Sequence, residues 1–199
     1  EGCYKRIFQQ LDIRCSINPT TGREEEISSA KAAAPKRVVV IGAGPAGMEA
    51  AHAAWEGGHE VLLLEKSREV GGQLNLASLP PGRKEIENFR NFLHDRLQRS
   101  DVKILKPKTA TGTFVKEYGP DVVILAVGAH PRKIRVKGLG KERMIPSWDI
   151  LRSKGDPREP ILVLGAGLVG CEAADLLSEA GKKVVLVEIL PEIATAGDA

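Results

Sequence analysis

No stretch of this 199-residue chain is apolar for long enough to cross a bilayer, and nothing at its start reads as a secretion signal. No membrane is therefore expected among its partners. An excess of one charge is missing too. The 29 Lys and Arg are nearly matched by 26 Asp and Glu, interspersed along the chain, for a net charge of +3. That balance argues against a nucleic-acid surface. Cysteine is scarce, three in all and odd in number, which fits a reducing cytoplasm. None lies between Cys15 and Cys171, so the close pair of thiols that dithiol–disulfide exchange requires is lacking. An initiating Met is absent, and the chain stops at Gly197-Asp198-Ala199 in the middle of a repeating pattern. The expectation is a piece cut from something longer.

What the chain does have is concentrated between Arg37 and Lys66. Val38-Val39-Val40-Ile41 is short and β-branched, the signature of a buried parallel strand. It runs into Gly42-Ala43-Gly44-Pro45-Ala46-Gly47, a G-x-G-x-x-G. A helical pattern from Met48 to Glu56 follows and stops at Gly57-Gly58; a second apolar strand, Val61 to Leu64, ends on Glu65. Each residue type has a task in holding a dinucleotide. Gly42 permits the tight turn, Gly44 lets a pyrophosphate approach the backbone, and Gly47 lets helix and strand pack closely. The helix N-terminus offers free N–H groups to the phosphates. Glu65 can accept hydrogen bonds from ribose hydroxyls.

Before this stretch, residues 1–34 form a polar lead-in containing Cys3 and Cys15, with eleven residues between them. Spacing alone leaves them as two unrelated thiols or as half of a metal or iron–sulfur site. After Glu65 and Lys66, Gly71-Gly72-Gln73 offers backbone that a ligand can approach. Ile86, Phe89, Phe92, Leu93 and Leu97 recur at helical spacing, with His94 among them as an exposed or capping residue. Val102–Leu105 and Asp121–Val127 read as strands, the latter buried and carrying Ala126, with Gly128 at its C-terminal end, where α/β sheets place ligand contacts. His130 is read as a turn residue. Residues 132–159 are a crossover.

The pattern then returns. Ile161–Leu164 leads into Gly165-Ala166-Gly167-Leu168-Val169-Gly170, a helix follows to Ala180, and the strand Val184–Val187 ends on Glu188. The offset is constant, since 165 − 42 and 188 − 65 both give 123. Two fingerprints in register imply two dinucleotides, and a chain that binds two usually passes a hydride between them. The extra loops of the first site suit a large fixed cofactor, FAD; the plainer second site suits an exchangeable nicotinamide. Glu188 would bind a 2′-hydroxyl and repel a 2′-phosphate, and Ile189 supplies no phosphate clamp, which favours NADH over NADPH. The candidate contacts are Gly42, Gly44, Pro45, Ala46, Gly47, Glu65, Lys66, Gly72, Gln73, Ala126 and Gly128 for the first nucleotide. For the second they are Gly165, Gly167, Gly170 and Glu188. Cys171, just after Gly170, reads as core. The expected fold is α/β, a Rossmann-like two-dinucleotide-binding flavoprotein: an FAD lobe at 35–131 and the start of an NAD(P) lobe at 160–199, truncated. Both strands of the second lobe read as buried on two faces, so self-association through residues 160–199, or packing of that segment back on the first lobe, is expected, as is poor nicotinamide binding.

Taken together, Gly2-Cys3-Tyr4, Cys15-Ser-Ile-Asn-Pro-Thr-Thr-Gly-Arg-Glu24, Val38–Gly47, Gly71–Ala77 with Pro80-Pro81-Gly82, and Leu162–Glu172 resemble the iron–sulfur NADH:flavin oxidoreductases. That is the family of 2,4-dienoyl-CoA reductase, trimethylamine dehydrogenase and enoate reductase. The resemblance covers essentially the whole chain. It implies that Cys3 and Cys15 are the last two ligands of a 4Fe–4S cluster held on C-x-x-C-x-x-x-C-x11-C, with the first two upstream of Glu1. It further implies an N-terminal TIM barrel carrying FMN and an enoyl- or dienoyl-type substrate, with electrons running from NAD(P)H through FAD and the cluster to FMN. The fragment alone is not expected to turn over substrate. Some members of the resembled family hold ADP where others hold FAD, so a non-catalytic ADP- or FAD-binding module is the alternative from another class. A pyridine nucleotide–disulfide reductase relative is the rival enzyme.

Overall fold

The computed structural model describes residues 6–27, 31–131, 136–140, 144–152, 155 and 157–194. In chain order its elements are β1 (Arg37–Ile41), α1 (Pro45–Glu56), β2 (Glu60–Leu64), α2 (Leu74–Ala77), α3 (Lys84–Gln98), β3 (Lys103–Leu105), α4 (Gly112–Tyr118) and β4 (Val122–Leu125). Then come α5 (Ser147–Leu151), β5 (Ile161–Leu164), α6 (Leu168–Glu179) and β6 (Val184–Val187). They fall into two compact units, one of residues 1–71 with 89–127 and one of residues 72–88 with 128–199.

The first unit is built on the parallel sheet β3-β2-β1-β4. The valines of β1 explain the order. Val39 and Val40 are wholly buried because β1 is flanked on both sides, by β2 and β4. Leu62, Leu63 and Leu64 of β2 are equally hidden. Such unbroken apolar runs belong to parallel strands covered on both faces. Val39, Leu62 and Leu64 form one cluster, packed by Ile41, Ala110, Phe114 and Tyr118. The last two sit on α4, which the sequence pattern did not predict. Its start is fixed by Thr111, whose hydroxyl accepts from the Phe114 N–H at 3.2 Å.

Three expectations need correction here. Helix α1 starts at Pro45, not at Met48, because proline suits the first helical position, where no N–H is required. The strand read at 121–127 is shorter, Val122–Leu125, and largely exposed, with Leu125 72% accessible. Among the described residues it pairs with β1 alone, so one flank has no neighbour. Helix α3 forms as predicted, burying Leu93 and Leu97, but His94 is half-buried in mid-helix, with Nε2 3.4 Å from Gln98 Nε2.

In the second unit β5 and β6 pair in parallel. They are not buried on both faces as the sequence suggested. Ile161 is buried, whereas Leu162 and Val185 are each 57% exposed. Among the described residues each strand has only the other as neighbour, and α6 packs on them.

Candidate dinucleotide sites

The first motif is held shut by its own backbone. Gly42 donates to the Leu64 carbonyl at 2.8 Å and turns with φ +102°; a Cβ there would strike the Ala126 carbonyl. A Cβ at Gly47 would collide with the carbonyl oxygen of Gly42 and press on Ala126. These contacts show why the loop needs glycine at both ends and why Ala126, whose N–H donates to Ile41 at 2.9 Å, belongs to the same turn.

The buried Glu65 closes the frame. Its carboxylate accepts from the Ala43 N–H at 2.8 Å and from the Ser67 N–H at 2.7 Å. Gly71 then donates to the Ala43 carbonyl at 2.7 Å, so both peptide groups of Ala43 are engaged. The sequence assigned Glu65 to ribose and missed this structural use. A carboxylate has about four lone-pair sites, so two backbone donors leave capacity for sugar hydroxyls. Helix α1, starting from Gly44, Pro45 and Ala46, has no side-chain cap and no acid in its first turn. Its N-terminal donors suit an anion. Lys66 is exposed beyond the acid.

The second motif repeats the backbone bonds of this frame. Gly165 donates to Val187 at 2.8 Å, and the Ala166 N–H donates to Glu188 Oε2 at 2.6 Å. A Cβ at Gly170 would collide with the Gly165 carbonyl, while a Cβ at Gly167 meets open space. Helix α6 likewise begins without a side-chain cap or an early acid. Glu188 also accepts from the N–H groups of Leu190 at 3.0 Å and Ile189 at 2.7 Å. Backbone donors, Leu190 foremost and then Ala166 and Ile189, hold its carboxyl below the ordinary carboxylate value. Gly72 and Gln73 are exposed in this same unit, and Gln73 Nε2 donates to the Ala129 carbonyl at 3.3 Å beside Gly128.

Cys15 is exposed. Ile17 directs its N–H at the Cys15 sulfur, 3.4 Å away, and the backbone of Asn18 first and Ile17 second pulls the thiol below its ordinary value. Backbone donors aimed at sulfur suit a cluster thiolate. Cys15 also borders a cleft of about 220 Å³ whose far wall is Pro45, Ala46 and Glu49 of α1 with Phe89 and Leu93 of α3. Cys3 lies outside the described residues. Among the described residues no group of three or more His, Cys, Asp or Glu is placed to hold a metal. Cys171 is half-buried rather than core, its thiol donating to the Ala166 carbonyl at 3.3 Å.

Residues 36–199 match the pyridine nucleotide-disulphide oxidoreductase family. The chain belongs to this family. Membership supports binding of FAD and NAD(P)H. The chain is 45% identical to an NADH oxidase of Thermoanaerobacter brockii, with 97% of this chain and 31% of that protein covered. It is 38% identical to a bilirubin reductase of Mediterraneibacter gnavus, covering 98% of the chain and 30% of the relative. Among solved structures it is similar to a 2-naphthoyl-CoA reductase complex, with TM-score 0.91, 28% identity, 98% of this chain and 30% of that one. These relatives bear out the resemblance to the iron–sulfur flavin oxidoreductases seen in the sequence. The chain spans about three-tenths of the length of the relatives it matches. No helix among the described residues is long and apolar enough to cross a membrane.

Proposed function

We propose that this chain is the nucleotide-binding portion of a larger cytoplasmic iron–sulfur flavoprotein oxidoreductase. The observation that carries the reading is the duplicated frame: Ala43 N–H on Glu65 and Ala166 N–H on Glu188, each beside a helix without a side-chain cap. Residues 42–47 with Glu65, Lys66 and Ala126 would hold FAD. Residues 165–170 with Glu188 would hold the nicotinamide nucleotide, NADH in preference to NADPH, because Glu188 is kept ionised where a 2′-phosphate would lie. Bound there, the two nucleotides supply hydride transfer from nicotinamide to flavin and single-electron delivery onward. Cys3 and Cys15 would contribute two of four thiolates to a 4Fe–4S cluster leading to FMN on a TIM barrel, where an enoyl- or dienoyl-type substrate is reduced. Chemistry on that substrate needs the barrel, so this chain by itself is proposed to bind nucleotides without turning it over. A visible spectrum of the longer protein tests the assignment. The two absorption bands of oxidised flavin, and FAD released on denaturation, are the expected result. Released ADP, with FMN as the sole flavin, would make the first frame a non-catalytic holder.

A further inference from the structure

Between α1 and α3 lies a set of charges that the dinucleotide frame does not use. Glu49, His52 and Glu56 occupy one side of α1, one turn apart. From α3, Arg96 reaches Glu49 Oε2 with NH1 at 2.7 Å and His52 Nδ1 with NH2 at 2.9 Å, its guanidinium lying over the Phe92 ring, 5.4 Å from the centroid. His52 is buried, and its Nδ1 is also 3.3 Å from Glu56 Oε2. Arg96 and Glu49 side chains are only 25% and 27% exposed, so their charges are less screened than those of a surface pair.

The position of Glu49 makes this pair more than a clamp. Gly44 is the N-cap of α1, and Glu49 sits five residues on, about 7.5 Å along the axis at 1.5 Å per residue. A free carboxylate there would oppose any diphosphate drawn to the helix N-terminus. We propose that Arg96 is a positioning residue for the first nucleotide: it neutralises Glu49 and fixes α1, so that the helix end presents a net positive field to the diphosphate. The inference rests on the reading of the first frame as a dinucleotide site and adds a residue 47 positions from Glu49 in sequence.

The test is a charge cycle in this chain, read by calorimetric titration with ADP and with adenosine, which lacks the diphosphate. Arg96→Met keeps an apolar side chain between α1 and α3 and leaves Glu49 unopposed. ADP is expected to bind about fivefold more weakly at about 20 mM salt, with the deficit shrinking at about 0.5 M, while adenosine affinity is unchanged. Glu49→Gln leaves Arg96 unopposed, and ADP is expected to bind more tightly than to the wild type. The double variant is expected to return near wild type. A merely structural clamp predicts otherwise: loss for ADP and adenosine alike, insensitive to salt and not rescued by Glu49→Gln. That outcome, or an unaltered ADP affinity in Arg96→Met, overturns the proposal while leaving the dinucleotide site standing. A wild type that binds neither ADP nor FAD removes the site itself and the proposal with it.

Discussion

The backbone N–H of Ala43 donates to the carboxylate of Glu65 at 2.8 Å, joining the middle of the glycine turn to the end of the neighbouring strand. The same bond recurs 123 residues later between Ala166 and Glu188 at 2.6 Å. In each motif the acid that faces the ribose in the proposed function also sets the shape of the phosphate loop. In that proposal loop and sugar contacts depend on one acidic side chain, and substitution of it disturbs both.

The phosphate approach at Gly44 is the first point to test. A Val at this position places a branched side chain at the N-cap of α1, where in the proposed function the pyrophosphate would come close to the backbone. Gly44→Val in the longer protein is expected to abolish FAD binding, measured as flavin released per protomer. An FAD content equal to wild type would remove Gly44 from the site.

In the proposed function, nicotinamide choice rests on Glu188. Glu188→Ala with Ile189→Arg is expected to move the ratio of kcat/KM toward NADPH, by losing a repulsion and gaining a phosphate partner. A wild type already preferring NADPH would contradict this. The same group makes a pH prediction. Its carboxyl is held below the ordinary carboxylate value by the N–H groups of Leu190, Ala166 and Ile189. A depressed carboxyl contributes stability that is present above the unfolded value and lost as pH falls through the folded one. Acid unfolding of the wild type should therefore show a loss as pH falls below the ordinary carboxylate value that is smaller in Glu188→Gln.

Much of this was legible in the chain because it is local. The valines of β1, the glycines at 42 and 47 and the acid at 65 lie within one strand–turn–helix–strand unit, and the in-register repeat made the second unit readable. What escaped the sequence depends on neighbours in space. The exposure of Leu125 follows from the place of β4 at the sheet edge, which strand order decides. The start of α1 was misplaced because Pro45 reads as turn when its position as first helical residue is unknown. Thr111, a cap signal that was present, went unread. Arg96 finds Glu49 and His52 only after α1 and α3 have packed, and no spacing rule covers 47 and 44 residues.

The cluster assignment is tested through Cys15. In the longer protein Cys15→Ser is expected to lower iron and acid-labile sulfide and to stop reduction of FMN, while NADH still reduces FAD. Wild-type iron content in the variant would show that Cys15 is no ligand.

The exposed Leu162 and Val185 predict behaviour of this chain in isolation. An apolar patch on a two-stranded sheet favours pairing with a second copy. Light scattering across a concentration series should show rising mass, reversed by Leu162→Lys with Val185→Lys. A mass that stays monomeric at every concentration would count against it.

The central claim, two nucleotides exchanging a hydride within one chain, is met most directly by anaerobic titration of the longer protein with NADH while flavin absorbance is followed. The duplicated frame predicts that the flavins bleach as NADH is consumed, each NADH delivering two electrons that enter at FAD, and that Gly167→Val blocks bleaching while leaving FAD bound. FAD that stays oxidised in the wild type under excess NADH, or that bleaches equally fast in Gly167→Val, would contradict it.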